Sequence, residues 1–199
     1  TSTNVFEKNR YDVSREPEFN RLLEILTEIR DFLNELGYLS MGRDMSVLRR
    51  TGVVSSSIIL DSATRTMESI RYCCMNANFA DAYSLLRKFR DDLFYYVYQF
   101  AVADKSDFTQ FVEINDLSVD EKNIWDWVHN QQNDLHIGSV LKCIASHPAA
   151  KKAVQQYNLK DSFDKLADKL NNYVHSNGYL FYNESFNQLI QRKKGKRKM

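Results

Sequence analysis

Between Glu18 and Leu36 the apolar residues Phe19, Leu22, Leu23, Leu26, Ile29, Leu33 and Leu36 recur at the spacing of one helix face. Pro17 before the run and Gly37 after it match a proline-led start and a glycine-led stop. A helix is predicted over 18–36. Residues 38–54 read as a loop, punctuated by Gly42 and Gly52 and carrying Arg49 and Arg50. Ser55, Ser56 and Ser57 offer N-caps for a second helix over 58–77, with Ile59, Ala63, Thr66, Ile70, Cys73 and Ala77 on one stripe. These side chains are mostly small, so a neighbour could approach closely.

Asn76-Ala77-Asn78 reads as a short connection to a third helix over 79–103. Its face is Phe79, Ala82, Leu86, Phe89, Leu93, Tyr96, Val97 and Phe100, widened by Tyr83, Phe94 and Ala101, which predicts the central, most buried helix. Ser118-Val119-Asp120-Glu121 has the form of a capping box. Further helices are predicted over 137–146, from Pro148 to Tyr157, and from a cap at Asp161 to a C-cap at Ser176-Asn177-Gly178. Residues 179–183 could be extended, and Phe186, Leu189 and Ile190 make a last helical turn or two. The fold class expected is all-α: one bundle of about six helices over 18–191, between an arm at 1–17 and a tail at 192–199.

Composition narrows the chemistry. Only 6 glycines and 2 prolines occur in 199 residues, which argues against turn-rich β folds and glycine-rich phosphate loops. No Walker, dinucleotide-binding, nucleophile-elbow or His-Glu-x-x-His pattern is present. Cys73, Cys74 and Cys143 are an odd number without ligand spacing, so packed, reduced thiols are expected and no metal or cofactor is called for. Six of the 27 basic residues fall in 192–199, where there is no acid. The rest of the chain therefore holds 21 basic against 26 acidic residues, a net −5. No apolar run is long enough to span a membrane, and the polar start, Thr1 to Arg10, does not read as a signal peptide. A cytoplasmic location is the expectation.

Arg90 is the first candidate for function. At helical spacing its neighbours are Tyr83, Leu86, Leu93, Phe94 and Val97, and a guanidinium in such a face needs a partner. Asp91 and Asp92 point elsewhere on the wheel, so the choice lies between a carboxylate on another helix and a phosphate. Arg71 has a similar setting, with Glu68 as its simplest ion-pair partner; Arg87 and Asp91 form an i, i+4 pair. His175 falls on the polar side of the last long helix with Asp168, Asn171 and Asn172, in the final turn, where the helix dipole favours imidazolium. It reads either as an ordinary surface histidine or as a general acid–base group or phosphate contact. His129, His136 and His147 share no ligand spacing.

The stretch Ser57 to Arg71, followed by Asp81 to Leu93 and then Asn171-Asn172-Tyr173-Val174-His175-Ser176-Asn177-Gly178, resembles a group of bacterial helical proteins and is similar to the end of the HEPN superfamily. HEPN proteins are helical bundles common in toxin–antitoxin and phage-defence systems. Their nucleases use an Arg, four to six residues, then a His, usually with a polar residue after the Arg. This chain has Lys169, five residues, then His175, with Leu170 after the lysine, a degenerate form of that motif. The resemblance implies metal-independent binding or cleavage of RNA, with His175, Arg90 and Asn172 as catalytic residues and Arg87, Arg71 and Lys169 as phosphate contacts. It also implies that helix 161–176 lies beside helix 79–103, with His175 at the rim near Arg87 or Arg90. The alternative is a non-catalytic interaction or dimerisation module whose Arg and His residues are structural. RNA, a partner protein or a second copy are the partners expected, and the basic tail could also meet an anionic membrane surface.

Overall fold

The structure, a computed structural model, describes residues 16–51, 56–103, 114–131 and 135–174; the side chains of 40–51, 56, 114, 128 and 160 are not described. Among the described residues the chain is an all-α bundle of seven helices with no strand. They are α1 (Pro17–Thr51), α2 (Ser56–Met75), α3 (Phe79–Ala103), α4 (Val119–Val128), α5 (Ile137–Ser146), α6 (Pro148–Gln156) and α7 (Leu159–Val174), with one 3₁₀ turn at Ile114–Asp116. The arm at 1–15, His175, the cap at 176–178, the segments 179–183 and 186–190 and the basic tail lie outside the described residues.

α1 departs from expectation. It runs through Gly37 and Gly42 to Thr51, where a loop over 38–54 was predicted. A helical glycine costs about 1 kcal/mol against alanine. Residues 38–51 contain no proline and many helix formers (Leu39, Met41, Met45, Leu48), so the backbone hydrogen-bond ladder continues past each glycine. Gly37 lies within the helix rather than at a cap, and an added Cβ there would lie 4.0 Å from the Leu60 Cβ, an ordinary contact.

α1 and α2 run antiparallel, with Arg30 Nη1 3.8 Å from the Glu68 carboxylate. α2 buries Ile59, Leu60, Ala63, Thr64, Thr66, Met67 and Ile70, a broader face than the predicted stripe, because it packs against α1 on one side and α3 on the other. It closes in a Schellman turn. Ala77 N–H donates to the Cys74 carbonyl at 2.9 Å and Asn78 N–H to that of Cys73 at 2.8 Å, with Ala77 at φ 55°. A left-handed alanine costs about 1–2 kcal/mol, and its burial helps offset this.

α3 is the central element: it packs against α2, α4, α5 and α7. Its buried face is not the single stripe expected. Ala82 and Phe89 enter a core with Leu33, Leu60, Ala63, Met67 and Ile70. Tyr98 and Val102 enter a second core with Ile124, Leu135, Val140, Cys143 and Ile144. The two partner sets approach α3 from different sides, so Val97 is exposed although it was expected inside, while Tyr98, off the predicted stripe, is 1% exposed.

The capping box on α4 is present: Ser118 Oγ accepts from Glu121 N–H at 3.3 Å, and Glu121 Oε2 accepts from Ser118 N–H at 3.0 Å. Pro148 stands in the first turn of α6 as expected. α7 starts at Leu159, two residues before the predicted cap; Asn158, at φ 48°, donates through Nδ2 to Asp161 Oδ2 at 3.0 Å.

Candidate functional site

α7 lies along α3, and two aromatic pairs set its direction. Phe94 meets Phe163 edge-on, with ring centroids 5.3 Å apart, and Tyr83 stacks on Tyr173 at 4.3 Å. The helices are therefore antiparallel. On α3 the seam reads Tyr83, Arg87, Arg90, Phe94, a 4–3–4 spacing that keeps all four on one face. On α7 Leu170 is fully buried at the seam and Tyr173 nearly so.

The two arginines on this stripe share one carboxylate. Asp91 Oδ1 accepts from Arg90 Nε at 2.9 Å and from Arg90 Nη2 at 2.7 Å, and Asp91 Oδ2 lies 3.9 Å from Arg87 Nε. This corrects the sequence expectation that Arg90 needs a carboxylate from another helix and that Asp91 points away. Adjacent helical positions diverge by about 100°, but the long arginine stem folds back across that angle. Arg30 and Asp31 repeat the geometry on α1. The guanidinium carbon of Arg90 sits 5.4 Å from the Phe163 ring centroid, a cation–π contact worth about 0.5–2 kcal/mol. Its side chain is 11% exposed, and Nη1 is buried without a hydrogen-bond partner among the described residues.

Lys169 belongs to the other end of the seam. Its Nζ donates to the Tyr83 hydroxyl at 2.8 Å and lies 4.4 Å from the same ring's centroid. Asn172 is exposed on α7, one turn further on. Phe163 and Tyr173 are about 15 Å apart along α7 at helical rise, so Arg90 sits at one end of the seam and Lys169 and Asn172 at the other. The end of α7 that leads to position 175 stands beside Tyr83. His175 itself lies outside the described residues, and so does the expectation that it meets Arg87 or Arg90.

Arg71 belongs to α2 rather than to this seam. The Glu68–Arg71 pair expected from sequence is replaced: Glu68 faces Arg30, and Arg71 Nε is buried without a hydrogen-bond partner among the described residues.

A second polar cluster escaped sequence reasoning. Tyr98 donates its hydroxyl to Asp120 Oδ1 at 3.2 Å, and Cys143 Sγ lies 3.4 Å from Asp120 Oδ2. Burial first and the Asp120 charge second raise the Tyr98 pKa. Tyrosine, aspartate and cysteine lie far apart in the chain, so no spacing signals them. Burial likewise raises Cys74 to about 11, and Cys73 is raised by burial and by Asp81. All three cysteines are free thiols, and at neutral pH these two are protonated and poorly nucleophilic.

Scanned against protein-family models, curated proteins and solved structures, the chain matches none. Among the described residues no helix is long and apolar enough to cross a membrane, and no group of three His, Cys, Asp or Glu could hold a metal ion.

Proposed function

We propose that the chain is a non-catalytic helical interaction module, in which Arg90 helps hold α3 and α7 together. The observation that carries this reading is the state of Arg90. Two of its N–H groups are on Asp91, its face is over Phe163, and its side chain is nearly closed to solvent. A phosphate-binding arginine needs an open approach for its guanidinium fork, and here the fork is turned inward.

Thermal melting and RNA cleavage on single variants test it. Arg90→Ala removes the cation–π contact and leaves Asp91 without its hydrogen-bonded partner, an expected loss of about 2–3 kcal/mol. His175→Ala is expected to leave melting unchanged. Metal-free RNA cleavage by the parent, lost in His175→Ala or in Arg90→Ala at unchanged melting temperature, would overturn the reading.

One observation favours the RNA-directed, HEPN-like alternative. Lys169 and Asn172, three residues apart, are both exposed on α7, beside the Tyr83–Tyr173 stack. A single-stranded RNA could meet its phosphates there. Binding by this edge would weaken with salt and fall several-fold in Lys169→Ala.

A further inference from the structure

The basic residues change in kind along the chain. α1–α3 hold arginines and a single lysine, Lys88, whereas α5–α7 hold lysines and no arginine. From Leu135 to Lys160 there is no Asp or Glu, while Lys142, Lys151, Lys152 and Lys160 fall within that stretch. The α5–α6 hairpin is therefore positive on a body whose sum, outside 192–199, is −5.

The pairing changes as well. On α1–α4 the described basic side chains other than Arg71 each meet a carboxylate, as Arg65 meets Asp61 and Lys122 meets Asp126. Lys142, Lys151 and Lys152 are exposed, and among the described residues they have no ion pair or hydrogen bond. Fold stability does not call for them. α1, α3, α4 and α7 open with an acid in the first turn, which the helix dipole favours. α6 opens with none and has Lys151 and Lys152 at its fourth and fifth positions, near the positive end of the dipole. One turn on, Gln155 and Gln156 are exposed too, so the outward side of α6 is cationic and polar with no acid.

We propose that the α5–α6 hairpin is a docking surface for an anionic membrane, with its lysines among the lipid headgroups. The residue type selects this partner. An arginine fork suits a phosphate held at one fixed place, whereas lysine is a hydrated point charge on a flexible stem, suited to the diffuse charge of a headgroup plane. The turn that joins α6 to α7 adds apolar groups: Tyr157 and Leu159 are 65 and 45% exposed. Tyrosine rings favour the depth of the headgroups. The two ends of the chain do not offer a counter-charge. Residues 1–15 hold Lys8, Arg10 and Arg15 against Glu7 and Asp12, and residues 175–199 hold their six basic residues against Glu184. Adsorption is reversible and salt-sensitive, with each lysine near the surface strengthening it about fivefold.

Co-sedimentation of the full chain with lipid vesicles tests the proposal, independently of the interaction-module reading. Binding is expected to vesicles that contain phosphatidylserine and not to phosphatidylcholine alone. Lys151→Gln combined with Lys152→Gln should weaken it about thirtyfold, at about fivefold per lysine. The same variant should melt no lower than the parent, because the dipole disfavours both charges. With the six basic residues of 192–199 changed to glutamine, the full chain should keep a binding that the α6 double variant still reduces. A parent that ignores anionic vesicles overturns the proposal, as does binding that is lost with the tail charges and untouched by the α6 variant. A lower melting temperature in the α6 variant also overturns it and assigns the lysines to the fold. Tighter binding of RNA through the same lysines, at equal phosphate concentration, overturns it and gives the face to a nucleic acid. Vesicle binding that appears only when Asp104, Asp107 and Glu113 are neutralised overturns it as well, and gives the face to that segment of the chain.

Discussion

The two cores strung along α3 are built on different principles. The one shared with α1 and α2 is made of Leu33, Leu60, Ala63, Met67, Ile70, Ala82 and Phe89, and its main polar cluster, Lys88 with Ser62, Thr66 and Asp92, runs along its edge. The one shared with α4 and α5 surrounds hydrogen bonds: Tyr98 to Asp120, Cys143 to Asp120, and the Tyr95 hydroxyl to the Leu135 carbonyl at 3.4 Å. The first core is closed by two successive helical hairpins, α1–α2 and α2–α3. In the second, directional bonds fix which of several apolar approaches is used. Apolar burial is generous and non-directional; a buried tyrosine hydroxyl tolerates one arrangement.

The largest break falls on the first core. Phe89→Ala is expected to cost about 3–5 kcal/mol in denaturant unfolding, from lost burial and the cavity it leaves. In the second core Tyr98→Phe keeps the ring and removes only the hydroxyl, so about 1–2 kcal/mol is expected. A Tyr98→Phe loss as large as that of Phe89→Ala would mean the hydrogen bonds, not packing, hold the second core.

Alkaline pH separates the two cores further. Tyr98 has a folded pKa above its ordinary 10. A raised pKa means the stability is complete below pH 10 and drains as pH rises above it. Cys74, packed against the first core, behaves likewise from pH 9 toward about 11. Between pH 9 and 10 the parent should lose stability through Cys74 and, to a smaller extent, Cys73, a loss that Cys74→Ala reduces. Above pH 10 Tyr98→Phe should lose less than the parent. A flat profile from pH 8 to 11 would contradict both.

Smaller effects sharpen the contrast. Ser118→Ala removes the α4 capping box at the edge of the second core, an expected loss of about 1 kcal/mol. Lys88→Ala strips the rim of the first core, where half the lysine side chain is in solvent, and no more than about 1 kcal/mol is expected. Phe89 and Tyr98 are about 13 Å apart along α3, so Phe89→Ala and Tyr98→Phe should add within about 0.5 kcal/mol. A larger coupling would show that α3 transmits strain between the cores.

Local pattern was enough for much of the fold. The start and end of α3, the turn at Asn76–Asn78, the Ser118 capping box and the break before Pro148 were legible because each rests on neighbours within four residues: a hydrophobic period, a cap, a missing N–H. The end of α1 was not, since a glycine after an apolar run has the form of a stop signal whether or not the helix continues. The candidate site was half legible. That Arg90 sits in an apolar face came from spacing. That its partner is the adjacent Asp91 did not, because a wheel records where a side chain leaves the backbone and not where a flexible stem ends.

What the sequence by itself determined is the all-α class, most helix boundaries and the arginine stripe on α3, all consequences of backbone geometry and local burial. Only the tertiary structure decided which apolar faces are covered. Leu22 and Leu26 look alike in the chain, yet one is outside and the other is packed on α2. Likewise Tyr98 enters a core while Val97 beside it stays in solvent. Hydrophobic spacing specifies that a face seeks burial; the direction from which other helices arrive specifies which face obtains it.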